Sequence, residues 1–288
     1  MCSSICVPVF NALASSLSLC SSVRLFSVIV GNQMNRRNEA LQIVASTNLI
    51  ECILMITSII GNIYLAFNSG GEEITTFDSW LGSVAINCWM CQTFQRLTLA
   101  LNRFLTITHL NNISFLDSRL LHIAILATPW CMLFTLTGLC FDPNFDDSFV
   151  LSRQFLVWHY DHDSFIRRFE KITSISFTLD SFIIYCIIIA VLVRRRGSHA
   201  SKTEFRLLIA FSLAFCYEFA LVFVYHILPT FVKYGITTVW VINFLWFLLP
   251  FVNCATLLSI NTSIRNQFFC QGAKYSISAV TTIRSMEA

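Results

Sequence analysis

Five ionisable residues interrupt long apolar runs in this chain: Arg24, Glu51, Arg96, Asp180 and Glu218. Each costs about 2.5–3.5 kcal/mol to insert at the centre of a bilayer, so residues of this kind need partners or a task. At 1.5 Å per residue, Glu51 lies about 16 Å, Arg96 about 18 Å and Glu218 about 20 Å from the inner ends of their runs. Equal depth and opposite sign predict a polar cluster of Arg96 with Glu51 and Glu218. Such a cluster is either an internal lock or a static ion pair. Asp180 lies nearer the outer end of its run, where it could receive a cationic ligand. Phe94, Tyr225, Trp240 and Phe244, together with Trp80, are candidates for an apolar ligand pocket, although aromatics at this level also form interfacial belts.

Two further motifs sit near the inner surface. Leu101-Asn102-Arg103-Phe104 closes one apolar run. An arginine there can snorkel outward or turn inward to neighbouring helices, which suits a two-state switch as well as a plain anchor. Pro250 and Asn253 lie in the last run. Proline removes a backbone hydrogen bond and permits a bend, and Asn253 can bond the freed carbonyl or reach across a bundle. The following residues, Asn261 to Phe269, alternate apolar and polar and predict a short helix at the inner interface.

Other chemistries lack their residues. There is no glycine-rich phosphate loop, no His-Glu-x-x-His and no Gly-x-Ser-x-Gly, so the expectation is not an enzyme and no cofactor. His122, His159, His162 and His226 show no metal-ligand spacing. A net charge of +3 gives no reason to expect nucleic acid.

The elements that must position these residues follow from composition. Of 288 residues, 56% are hydrophobic and 12% charged, against about 25% charged in a soluble domain. So much apolar surface needs the lipid bilayer as solvent. A span needs about 20 apolar residues, and the runs predict helices over about 5–30, 40–67, 80–108, 120–141, 172–193, 205–228 and 238–260. The first is the weakest, being rich in Ser and holding Arg24. The expected fold is an all-α membrane protein, a seven-transmembrane helix bundle filling 1–270, with a cytoplasmic tail over 271–288. The segment 142–171 is the one loop long enough to fold over a pocket.

Charge sets the orientation, because Lys and Arg collect on cytoplasmic loops. With the N-terminus outside, twelve basic residues fall on the inner side and five on the outer, the latter beside nine acids. Arg194, Arg195 and Arg196, with Lys202 and Arg206, form a basic inner loop able to dock an acidic partner or simply to mark topology.

Taken in order, Asn102-Arg103-Phe104, the basic inner loop and Asn261 to Arg265 resemble the rhodopsin-like G-protein-coupled receptors. Within them the chain looks most like the nematode seven-transmembrane chemoreceptors of the serpentine receptor class X group. The stretch Trp158-His159-Tyr160-Asp161-His162-Asp163-Ser164-Phe165 is similar to that group's aromatic and acidic signature. The resemblance covers roughly 35–270. It implies a multi-pass plasma-membrane receptor that binds a small environmental molecule and couples to a heterotrimeric G protein, with a second copy of the chain as a further candidate partner. It assigns coupling and switching to Asn102, Arg103, Phe104, Arg194, Arg195, Arg196, Pro250 and Asn253. Departures are Asn102 before the arginine, where an acid is usual, and only Pro250 of the usual Asn-Pro-x-x-Tyr. The family also ties the outer end of its third span to the second outer loop by a disulfide. No cysteine adjoins Asp78 or Trp80, which leaves Cys88 with Cys140 as the candidate pair. A transporter, a ligand-gated channel and a truncated, non-signalling receptor relative are the alternative readings.

Overall fold

The computed structural model describes residues 2–68, 75–108, 119–140, 149–152, 156–160, 162–194 and 202–269. In a bilayer every backbone polar group must be paired internally, so long apolar segments become helices. The described helices are α1 (Cys2–Gly31), a single turn α2 (Gln33–Arg36), α3 (Glu39–Asn68), α4 (Thr76–Thr108), α5 (Arg119–Leu139), α6 (Phe165–Arg194), α7 (Lys202–Val222) and α8 (Ile236–Ile260), followed by α9 over 262–269. Six of them hold segments long and apolar enough to cross a membrane: Cys6–Gly31, Glu39–Phe67, His122–Leu139, Phe165–Val191, Phe211–Thr230 and Ile236–Ile260. This is an all-α membrane architecture with one small hairpin.

The six are not the six that stand out in the sequence. The Ser-rich first segment is among them, and α4 is not. On α1, Asn11, Ser15, Ser18 and Ser22 recur at helical spacing and are buried, whereas Phe10, Leu13 and Leu17 point outward. Its serines therefore form a small-residue seam against α3 and α8. The reverse holds for α4, which packs on α3, α5, α6 and the hairpin. Asn87, Gln92, Thr93 and Gln95 are buried in it. A helix wrapped by other helices need not be apolar, so α4 has the length of a span without the composition of one.

Helix ends account for two boundary differences. Thr75 and Asp78 cap α4 reciprocally: Thr75 N donates to Asp78 Oδ2 at 2.8 Å and Asp78 N to Thr75 Oγ1 at 3.4 Å. Ser164 Oγ accepts from Arg167 N at 3.2 Å, an N-cap that starts α6 seven residues before the 172 read from hydropathy. Past Val222, α7 widens into a π-turn over Phe223–Ile227 and ends in a 3₁₀ turn.

The outer mouth is filled by an antiparallel hairpin, β1 (Phe149–Ser152) with β2 (Val157–Tyr160), in register Phe149 to Tyr160. Phe149, Leu151 and Trp158 are buried. The close seat depends on two glycines. A Cβ on Gly82 of α4 would overlap the Phe149 carbonyl oxygen, and one on Gly61 of α3 would lie 2.9 Å from a Leu151 methyl.

Candidate functional site

Along α4, Trp89, Arg96 and Arg103 recur every seven residues, two helical turns, and face the bundle interior about 10 Å apart. Along α7, Phe211 and Glu218 are likewise seven apart and buried. His226 comes eight residues after Glu218, which would turn it about 80° away on a regular helix. The π-turn absorbs the extra residue, and His226 is buried on the bundle side. The two helices run in opposite directions, so these residues meet as three rungs.

The middle rung joins Arg96, Glu51 and Glu218. Arg96 Nη1 lies 2.5 Å from Glu218 Oε1, and Nη2 lies 3.5 Å from Glu51 Oε1. Both carboxylates are nearly inaccessible, and two of them face one guanidinium. Glu51 also accepts from Asn253 Nδ2 at 3.1 Å and Ser22 Oγ at 3.3 Å. Five helices thus converge on one charge cluster. It borders a cavity of about 70 Å³ with Asn48, Thr47 and Tyr185 in its wall, space for a few waters.

The inner rung is Arg103 over Phe211, 5.2 Å from the ring centroid. Arg103 is 5% exposed, so of the two orientations open to it the inward one is adopted. The residues beside it serve locally: Asn102 Nδ2 bonds Glu39 Oε2 at 3.1 Å on the exposed side, and Phe104 packs into the inner core. Tyr185 of α6 stands within electrostatic range of Arg96, Arg103 and Glu218.

The outer rung was not legible as a site. Glu170 reads as a loop acid, yet it is buried on α6. Its Oε1 accepts from Trp89 Nε1 at 3.1 Å and Ser174 Oγ at 2.9 Å and lies 3.2 Å from His226 Nε2. Its Oε2 accepts from Tyr160 of the hairpin at 3.1 Å. The signal was available in the N-cap Ser164 and in the helical stripe of Glu170, Ser174, Thr178, Ser181 and Tyr185, all buried. The Arg96 guanidinium lies 6.0 Å over the Trp89 ring, which links this rung to the middle one.

Pro250 is buried in α8. Side chains bond carbonyls near its bend: Ser18 Oγ donates to Phe247 O at 2.6 Å and the Tyr217 hydroxyl to Leu245 O at 2.7 Å. Arg24 lies between depths: its Nε and Nη2 bond the Phe268 carbonyl at 3.0 and 2.8 Å, tying α1 to α9.

Several expectations are corrected. Asp180 lines neither described cavity; it is exposed, about 100° round α6 from the buried Ser181. Phe94 packs on Phe177 with centroids 5.7 Å apart, and Phe244 packs against the outer core. Neither they nor Trp240 border a described cavity, whereas Tyr225 does. Cys88 and Cys140 keep thiol side chains. Helical rotation turns Cys88 into the core and points its neighbour Asn87 at Cys140, with Nδ2 3.7 Å from Sγ. Arg194 is exposed at the end of α6, and Arg195 and Arg196 lie outside the described residues. No group of metal-ligating side chains occurs among the described residues.

No family model matches this chain, and no curated protein matches it significantly.

Proposed function

We propose that the chain is a chemosensory G-protein-coupled receptor of the plasma membrane, with α4 as a seventh span and the N-terminus outside. The observation that carries this reading is the ladder between α4 and α7. It runs from an outer polar cluster under a loop hairpin, through Arg96 and its two carboxylates, to Arg103 near the inner surface. Along it α7 meets α4 through side chains beside a cavity. A helix held by a few long side chains has alternative positions, as a switch requires. α4 qualifies as a span because its polar residues are enclosed by protein. A small molecule acting at the outer rung would bias the middle one, and the basic inner loop supplies a docking surface for a heterotrimeric G protein.

The test is expression in cells lacking other chemoreceptors, with volatile and soluble chemicals applied from outside. The expected result is a chemical-evoked response that vanishes when G-protein signalling is blocked. A chemical-evoked current that survives the block, or substrate uptake, would overturn the receptor reading in favour of a channel or transporter.

A further inference from the structure

Glu170 differs from the other two buried carboxylates in what surrounds it. Glu51 and Glu218 share the permanent charge of Arg96. Trp89, Ser174 and Tyr160 give Glu170 neutral donors, and His226 carries charge only when protonated. The nearby basic side chains are engaged elsewhere or exposed. Arg167 lies over the Tyr160 ring at 5.6 Å, Arg168 pairs with Asp163 at 2.9 Å, and Lys171 is exposed. A desolvated carboxylate without a fixed counter-charge is costly and invites a mobile one.

Beside this carboxylate is a cavity of about 20 Å³, room for one or two water-sized groups. Its wall is aromatic: Trp89 and Trp246 meet edge to face at 5.2 Å, and Tyr225 lies 6.0 Å from Trp246. Electron-rich ring faces around a carboxylate favour a compact cation. The π-turn brings Tyr225 and His226 into the same wall.

We infer that the Glu170 cavity binds a small ammonium group, that of ammonium itself or of a short alkylamine. The carboxylate supplies the counter-charge, and Trp89, Tyr225 and Trp246 the cage. The inference rests on the receptor reading for its purpose, but not for its test. The volume selects against bulky quaternary ammonium ions and the charge against neutral compounds of similar size.

The experiment measures binding of methylammonium chloride to the purified full chain in lipid nanodiscs by calorimetry, with sodium chloride at equal ionic strength and methanol as controls. The wild type is expected to bind methylammonium, with affinity reduced roughly tenfold or more in Glu170→Gln and unchanged in Asp180→Asn. Should Glu170→Gln fail to fold, Tyr225→Leu replaces it, with a several-fold loss expected from the missing ring. Absence of methylammonium binding, equal binding of methanol, or binding that survives both cavity variants overturns the inference. A G-protein response to neutral or acidic chemicals without methylammonium binding leaves the receptor reading standing and removes this one. Binding without any G-protein response does the reverse.

Discussion

Arg96 and Glu218 form a direct ion pair, Nη1 to Oε1 at 2.5 Å, between two helices that otherwise face each other beside a cavity. The same guanidinium reaches Glu51 at 3.5 Å, so one side chain ties α3, α4 and α7 together at mid-depth. Breaking a buried pair from one side leaves uncompensated charge, a cost of about 3–5 kcal/mol.

Replacing Arg96 by Met strands both carboxylates. Arg96→Met is therefore expected to lower the melting temperature of the detergent-solubilised protein strongly, while Arg96→Met with Glu51→Gln and Glu218→Gln recovers most of the loss. Under the lock reading the single variant also raises basal G-protein signalling per molecule at the surface. Unchanged thermal stability in Arg96→Met would remove the pair as a structural tie, and unchanged basal signalling would remove the lock.

Gly82 admits the hairpin against α4, and a methyl there would overlap the Phe149 carbonyl. Gly82→Ala is expected to displace β1 from the mouth. Ser152, buried in β1, reports this when changed to cysteine: its maleimide labelling from outside becomes several-fold faster in the Gly82→Ala background. Equal labelling rates would mean the hairpin does not depend on that contact.

Cys88 and Cys140 are thiols. Unfolding without reductant in the presence of an alkylating reagent, followed by peptide mass spectrometry, is expected to find both alkylated. Recovery of a disulfide-linked peptide containing the two would contradict the structure.

Arg24 holds the C-terminal end of α9 through two bonds to the Phe268 carbonyl. Arg24→Met removes charged donors, worth about 1.5–3 kcal/mol when such a bond is lost. Faster amide hydrogen exchange over 262–269, with exchange in α3 unaltered, is the expected outcome. Undiminished protection of α9 would show that Ile264, which is buried, anchors it alone.

Much of this protein is written in the order of its residues. Composition demands lipid, and hydropathy placed every long helix within a few residues, because a chain in a bilayer can satisfy its backbone only within a helix. Depth arithmetic put Glu51, Arg96 and Glu218 at one level, and they do meet, since charges of opposite sign buried at equal depth have few other partners. What only the tertiary structure decided is rotation about each helix axis. Rotation made Ser15, Ser18 and Ser22 an interior seam rather than a flaw in α1, and turned Asp180 outward and Glu170 inward on the same helix. It aimed Asn87 rather than Cys88 at Cys140. It also let a π-turn of one extra residue carry His226 round to Glu170. A one-residue change of phase swings a side chain by about 100°, and packing against neighbouring helices, not local sequence, selects the phase.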